Sequence, residues 1–331
     1  MLNNKTILVT GGTGSFGQRF IKTIIKKYKK IKKIIIFSRD ELKQYDMSQE
    51  LNEEKHKFIR YFIGDIRDRD RLDMALKDVD IVVHAAALKQ VPASEYNPFE
   101  TIKTNILGTQ NIIDACMKNK VKKLISLSTD KASSPINLYG ATKLCADKLV
   151  VASKNTKGKL DYKACVVRYG NVLGSRGSVL PLFTKQKERG NISITSKDMT
   201  RFNILLDEGI ELVLWSIKNV KGGEIFVPKI PSYRITDLAK AVAPNCKINF
   251  IGVRPGEKIH EEMISVSEGY NTIDIGNYYV ILPVNDNTFI QNYINEYKGK
   301  KLKKGFSYNS EENTEFLNVD ELKKLIIKAQ Y

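Results

Sequence analysis

The sequence predicts an α/β protein of the Rossmann type, a doubly wound parallel sheet followed by a smaller C-terminal α/β region. Three observations carry this expectation. Short apolar runs alternate with amphipathic helical stretches through the first half, the pattern of βαβ units with parallel strands. A glycine turn, Gly11-x-x-Gly14-x-x-Gly17, stands directly between the first apolar run and the first helical one. A tyrosine and a lysine four residues apart, Tyr139 and Lys143, follow a later apolar run.

The elements follow in order. Thr6 to Thr10 reads as a strand, and Phe16 to Tyr28 as a helix with isoleucines on one face. Lys33 to Phe37, Phe58 to Ile63 and Asp80 to His84 read as further strands, with helical segments between them. Leu124 to Ser128 is another strand, and the helix carrying Tyr139 and Lys143 comes next, then a strand from Lys163 to Arg168. After Tyr169-Gly170-Asn171 the alternation loosens. Gly174 to Ser178 reads as loop and Leu180 to Arg189 as helix. Past Gly222 the strands look isolated, punctuated by Pro228, Pro231, Pro244 and Pro255. We therefore expect a dinucleotide-binding domain at 1–170 with a returning segment at about 203–230. A substrate-binding region at 171–202 and 231–331 completes the expected chain.

At 331 residues, with 42% apolar and 27% charged residues, the chain has room for one large α/β domain with an appendage. No apolar run approaches the roughly 20 residues of a membrane helix. The N-terminus leads straight into a strand without a signal-peptide core, so the expected location is cytoplasmic and no membrane partner is expected. Cys116, Cys145, Cys165 and Cys246 form no Cys-x-x-Cys pair and read as buried reduced thiols. His56, His84 and His260 are too dispersed for a metal site, and His260-Glu261-Glu262 lacks the second histidine of a zinc protease helix, so no metal is expected. The net charge of +17 fits an anionic ligand. Its lysines between Lys22 and Lys33 form a solvated helix face, and no aromatic-interleaved basic stripe points to nucleic acid.

A glycine turn that leaves a strand and opens a helix lets backbone N–H groups approach a pyrophosphate. At the end of the second strand, an NAD site usually places a carboxylate for the ribose hydroxyls. Here Ser38 and Arg39 stand there, with Lys43 a turn later. A hydroxyl and two cations suit a 2′-phosphate, which favours NADP. Asp40 and Glu41 keep NAD open unless they cap the next helix. Asp65 and Ile66, after the third strand, are placed to hold the adenine edge. Ala85 and Ala86, after His84, are small where backbone must lie close to a ligand, and His84 itself reads as a packed strand residue.

Tyr139 and Lys143 share a helix face. A free tyrosine titrates near 10, and an adjacent ammonium and an oxidised nicotinamide would lower it. The pair thus makes a base for a hydroxyl whose carbon loses hydride, and Thr129 is placed to hydrogen-bond that hydroxyl. Asp130 and Lys131, just upstream, read either as a surface ion pair or as a second acid–base couple.

The glycine turn, His84-Ala85-Ala86-Ala87 and Tyr-x-x-x-Lys resemble the extended short-chain dehydrogenase/reductase superfamily. Within it, longer stretches resemble one narrow family. They are Ser38-Arg39-Asp40-Glu41-Leu42-Lys43, Ser128-Thr129-Asp130-Lys131-Ala132, Arg168-Tyr169-Gly170-Asn171-Val172 and Gly174-Ser175-Arg176-Gly177-Ser178. Met199-Thr200-Arg201-Phe202, Arg254-Pro255-Gly256-Glu257-Lys258 and Gly305-Phe306-Ser307-Tyr308 extend the likeness toward the C-terminus. That family is the inverting, 5-epimerising UDP-N-acetylglucosamine 4,6-dehydratases, which open the pseudaminic acid pathway.

The resemblance implies three steps. Tyr139 takes the 4-hydroxyl proton while hydride leaves C4 for NADP. Lys131 removes the acidified C5 proton while Asp130 protonates the departing 6-hydroxyl. Hydride then returns to C6, and C5 is reprotonated from the opposite face. The scheme asks for an elevated Asp130 pKa and a depressed Lys131 pKa. Retaining relatives carry Glu at the Lys131 position, and epimerising capsule dehydratases lack the tyrosine, so having both points to the pseudaminic acid type. The implied cofactor contacts are Gly11, Thr13, Gly14, Ser15, Phe16, Gly17, Ser38, Arg39, Lys43, Asp65, Ile66, Ala85, Ala86, Asn105, Tyr139, Lys143 and Val172. The implied contacts to UDP-N-acetylglucosamine are Lys89, Thr129, Asn171, Arg176, Thr200, Arg201, Arg254 and Glu257. A homo-oligomer, dimer or hexamer, is also implied. A 4-epimerase or reductase would need no Asp130-Lys131 couple, and a non-catalytic NADP-binding protein would need neither couple.

Overall fold

The computed structural model describes residues 1–52, 54–175, 177–283 and 287–329. The chain divides into two compact units, one formed by Met1–Ser128, Ala141–Val167 and Ile210–Phe226, the other by Thr129–Gly140, Arg168–Gly209 and Val227–Tyr331.

The first unit is built on parallel strands β1 (Thr6–Thr10), β2 (Lys33–Ser38), β3 (Ile59–Ile63), β4 (Ile81–His84), β5 (Lys123–Thr129) and β6 (Lys163–Tyr169). Their order is β6-β5-β4-β1-β2-β3, with Glu224–Pro228 beyond β6. The chain therefore reverses direction across the sheet between β1 and β4, the switch point at which such folds bind ligands. β1 pairs in parallel with β2 through Thr6↔Lys33 and with β4 through Ile7↔Ile81. The strands are nearly continuous Val, Ile and Leu because the sheet is covered on both faces; Ile7, Leu8, Val9, Ile34, Ile36 and Val82 are fully buried. Each such side chain contributes about 1.5–3 kcal/mol relative to exposure.

Helices connect these strands: α1 (Ser15–Lys27), α2 (Glu41–Glu50), α3 (Arg69–Ala75), α4 (Val91–Tyr96), α5 (Pro98–Ile102), α6 (Gly108–Lys118) and α7 (Leu138–Ala152). α1 buries Phe20, Ile21 and Ile24 and turns Lys26 and Lys27 to solvent, as its spacing predicts. A π-helical turn, Lys103–Leu107, joins α5 to α6. Cys116 and Cys165 are buried thiols as expected, but Cys145 is exposed and Cys246 half-buried.

In the second unit the strands read as isolated are in fact paired. Asn191–Ile194 runs parallel to Lys247–Phe250. Thr200–Ile204 is buried along its whole length between Ser232–Arg234 and Asn171–Val172. Glu262–Ile264 runs antiparallel to Tyr308–Asn309. These strands are two to five residues long, too short to show a period in sequence. Leu180, Phe183, Ile192, Met199, Tyr233 and Leu238 form a core with Leu322 of the last helix. Among the described residues no helix is long and apolar enough to cross a membrane, and no cluster of three or more His, Cys, Asp or Glu could hold a metal.

Candidate active site

The first unit holds the glycine turn between β1 and α1. Gly11 sits at φ +65°, and a Cβ there would lie 2.9 Å from the Ala86 nitrogen. A Cβ on Gly17 would lie 2.5 Å from the Gly12 carbonyl oxygen. Both positions therefore require glycine. Gly14 caps α1 without a side-chain hydrogen bond, so the N-terminal amides of α1 stay available to an anion. Thr13 is buried, and its carbonyl accepts the Gln18 side chain at 3.0 Å. Ser15 opens the helix, and Phe16 stacks on Phe20 at 5.6 Å. These features fit a pyrophosphate.

Beyond β2, Gln44 donates to the Ser38 hydroxyl at 3.0 Å and to the Phe62 carbonyl at 3.0 Å, tying Ser38 to the neighbouring strand. Asp40 caps α2 by accepting the Lys43 N–H at 3.0 Å, and its carboxylate also pairs with the Lys43 ammonium. The capping alternative for Asp40 is thus the observed one. Asp65 gathers two guanidinium groups, Arg67 at 2.7 Å and Arg39 at 3.4 Å. Burial opposes ionisation of Asp65, but the hydrogen bonds and charge of Arg67 and Arg39 outweigh it and hold its pKa below the usual value. Ile66 is buried against Gly108.

After β4, the Ala85 and Ala86 N–H groups both donate to the Thr10 hydroxyl at 3.2 Å. His84 is packed between Thr10 at 2.7 Å and Thr109 at 3.2 Å. Burial and the nearby Lys143 charge lower its pKa to about 3, so it is a neutral strand residue, as expected. Asn105, on the π-helical turn, bonds the Leu88 N–H and carbonyl at 2.9 and 2.8 Å and Thr142 at 3.0 Å, joining the loop after β4 to α7. Lys143 is buried and donates to the Leu127 carbonyl at 2.7 Å. Burial lowers its pKa, opposed by Asp147, which accepts the Ser128 hydroxyl at 2.8 Å. Lys89 is exposed.

The second unit holds the acid–base couple. Thr129 ends β5 and caps a short 3₁₀ turn of Asp130, Lys131 and Ala132. Asp130 is 0% exposed, so the surface-pair reading is excluded. Its Oδ1 accepts from Thr129 at 2.9 Å and from Lys131 Nζ at 3.0 Å. Its Oδ2 is buried with no hydrogen-bond partner among the described residues. Burial raises the Asp130 pKa, with Glu261 adding to the rise and Lys131 opposing it.

Lys131 departs from expectation. Burial favours its neutral form, but Asp130 and Glu261 outweigh burial and raise its pKa above the ordinary lysine value. The expected depression is therefore reversed in the free protein. Asp130 is the larger cause, and Glu261, next to His260 in the sequence, is the second. Glu261 is 2% exposed, and its carboxylate lies 2.9 Å from Lys131 Nζ. Its only sequence signal is an acidic residue entering the apolar strand Glu262–Ile264.

Some of the remaining residues contact this cluster and others do not. Asn171 accepts from Lys131 Nζ at 3.3 Å and bonds the buried Tyr233 phenol. Tyr139 is 9% exposed and lies one turn before Lys143 on α7. Arg201 is 6% exposed and spends its guanidinium on the Thr200, Ile259 and Lys258 carbonyls at 2.7–2.9 Å. It also lies 3.7 Å from both Glu257 and Glu261. Thr200 bonds His260 at 2.8 Å and Ser310 at 2.7 Å. Glu257 accepts from Thr195 at 3.1 Å, while Arg254 is exposed. Val172 pairs with Ile204. Arg176 lies outside the described residues.

The family model described as polysaccharide biosynthesis protein matches residues 7–283. The chain belongs to the polysaccharide biosynthesis protein family. A member from Campylobacter jejuni, described as UDP-N-acetylglucosamine 4,6-dehydratase (inverting), is 53% identical over 98% of both chains, which bears out the resemblance read from the motifs. Another, from Rickettsia bellii, is described as UDP-glucose 4-epimerase and is 44% identical over all of this chain and 98% of that one. The crystal structure of Pen from Bacillus thuringiensis superposes with a TM-score of 0.90 at 38% identity, covering 100% of this chain and 99% of that one. The sheet order and this superposition bear out the expected Rossmann-type fold.

Proposed function

We propose that this protein is a hydro-lyase, an inverting UDP-N-acetylglucosamine 4,6-dehydratase using bound NADP. The observation that carries the proposal is the buried couple of Asp130 and Lys131 with its 3.0 Å hydrogen bond. An epimerase or reductase has no use for such a couple, and a 53% identical relative bears the dehydratase name. The Gly11 and Gly17 turn would receive the pyrophosphate, and we assign a 2′-phosphate to Ser38, Arg39 and Lys43, whose cations are now paired with Asp65 and Asp40. When bound, NADP accepts a hydride from C4 of the sugar and returns it at C6.

Tyr139 takes the 4-hydroxyl proton, and the buried Lys143 ammonium stabilises the resulting phenolate. Asp130 and Lys131 then act on C5 and C6. At rest the proton sits on Lys131. Passing it along the 3.0 Å bond to Asp130 produces a neutral amine and a carboxylic acid together. The amine removes the C5 proton and the acid protonates the leaving 6-hydroxyl, so one shared proton supplies both roles. Lys89, Asn171, Arg254 and Glu257 are proposed contacts of the UDP-sugar. Thr200 and Arg201 support the cluster from behind, since their polar atoms are engaged within the protein. We further infer a cytoplasmic homo-oligomer serving pseudaminic acid synthesis and, through it, flagellin glycosylation.

The test is to incubate the purified protein with UDP-N-acetylglucosamine and follow product mass in D₂O. The expected product has lost one water, carries deuterium at C5 with inverted configuration, and forms without net NADPH change. The Rickettsia relative's name makes 4-epimerisation the second reading. Unchanged mass with formation of the galacto isomer would establish that reading and reject ours.

A further inference from the structure

The carboxylate beside Lys131 has no part in the scheme above, yet the fold fixes it firmly. The Glu261 N–H donates to the Ser310 hydroxyl at 2.9 Å, and the Ser310 N–H donates to the Glu261 carbonyl at 2.8 Å. Ser310 is 0% exposed, and its hydroxyl is bonded to Thr200, which is bonded to His260. The backbone of Glu261 is thus clamped from both directions. Its side chain has one oxygen 2.9 Å from Lys131 Nζ. The other oxygen is buried with no hydrogen-bond partner among the described residues.

A buried carboxylate is costly unless it is paired. This one is held between two cations, Lys131 at 2.9 Å and Arg201 at 3.7 Å, and Arg201 is itself spent on backbone carbonyls. Lys131 is the partner with chemistry to perform. Four charges alternate in sign through the cluster: Asp130, Lys131, Glu261 and Arg201. The charged and titratable groups packed around them are Lys258, Glu257 and Tyr233. Lys258 donates to the Ser133 carbonyl at 2.7 Å, Glu257 faces Arg201, and the Tyr233 phenol is buried with a raised pKa.

We propose that Glu261 is a positioning residue: clamped by Ser310 and balanced by Arg201, its carboxylate fixes the Lys131 nitrogen and keeps one proton shared between Lys131 and Asp130. Removing the Glu261 charge weakens the hold of both groups on that proton. Lys131 loses an anion that favours its ammonium, and Asp130 loses a like charge that disfavours its carboxylate. The couple then gives up its proton at lower pH. This inference rests on the dehydratase reading for its kinetic consequence, but not for its electrostatic one.

The experiment compares wild-type protein with E261Q and E261D. In the dehydration assay the kcat–pH profile of E261Q is expected to move toward acid on both limbs, by about one unit or more. That displacement lowers turnover about tenfold at a fixed pH on the basic limb. E261D keeps the charge, and its limbs are expected to stay close to those of the wild type. A profile reduced in height but unmoved along the pH axis would show mere packing and overturn the proposal. Independently of turnover, ¹⁵N-lysine NMR follows the Lys131 amine, assigned with Lys131→Arg. Its titration is expected to fall in E261Q, and an unchanged titration would also overturn the proposal. If wild-type protein releases no water from UDP-N-acetylglucosamine, the dehydratase reading fails, while the NMR titration still decides the role of Glu261.

Discussion

Lys131 is where the chemistry of this chain is most specific. With the lysine truncated, Asp130 keeps its Thr129 bond among the described residues, and the amine base is gone. Lys131→Ala is therefore expected to lower dehydration by about 10²–10⁴-fold, the usual contribution of a general base. The cradle around Gly11 and Gly17 does not depend on it, so NADP titration by fluorescence is expected to give wild-type affinity. Loss of cofactor binding would instead assign Lys131 a structural part. Asp130, Lys131, Tyr139 and Lys143 were legible because they lie within one short stretch and because their residue types are uncommon together. The charge state of Lys131 was not legible. It is set by its neighbour Asp130 together with Glu261, which the fold brings within 2.9 Å from 130 positions further along, and no local pattern encodes that second encounter. Arg201 shows the same limit: its bonds to three carbonyls have no local signature in the sequence.

Among the elements, the glycines at the ends of two helices separate the functions of the units. A methyl group on Gly17 would press on the Gly12 and Gly11 carbonyls at 2.5 and 2.6 Å. Gly17→Ala is therefore expected to weaken NADP binding. A methyl group on Gly140, in the first turn of α7, would overlap the Lys131 carbonyl oxygen. Gly140→Ala is expected to displace the 3₁₀ turn and suppress dehydration while cofactor affinity is kept. Calorimetric titration of NADP alongside the dehydration assay distinguishes the two, and identical defects in both variants would refute this division. The strands β1 to β6 were readable because a buried parallel strand is a continuous apolar run. The short strands after residue 222 were not, since their pairing is fixed by partners such as Glu262–Ile264 with Tyr308–Asn309, far apart in sequence. The capping role of Asp40 was open in the sequence and needed the observed N–H of Lys43 to decide it.

For the molecule as a whole, one buried ion pair links stability to pH. Arg168 is fully buried and grips both Glu268 oxygens at 2.9 and 3.0 Å, with a further bond to the Met263 carbonyl. Burial opposes the Glu268 charge, but Arg168 outweighs it and lowers the Glu268 pKa below its ordinary 4.5. A carboxylate whose folded pKa is depressed stabilises the fold above its unfolded pKa, and that stability is lost as pH falls through the folded value. The melting temperature is thus expected to drop as the medium is acidified below about pH 4.5. Arg168→Met strands a buried carboxylate and is expected to cost about 3–5 kcal/mol near neutral pH. The gap from wild type should narrow in acid, as measured by thermal unfolding across pH. A gap that is constant with pH would show that Arg168 acts through packing alone.

The long chain separation of Lys131 and Glu261 also bears on how the protein is made. A ribosome adds about 5–20 residues per second, so Lys131 waits roughly 6–26 s for its counter-charge to be synthesised. The strands β1 to β6 have all emerged well before then. A nascent chain can thus assemble strands β1 to β6 early, while its acid–base couple meets Glu261 only once residue 261 of 331 has been translated.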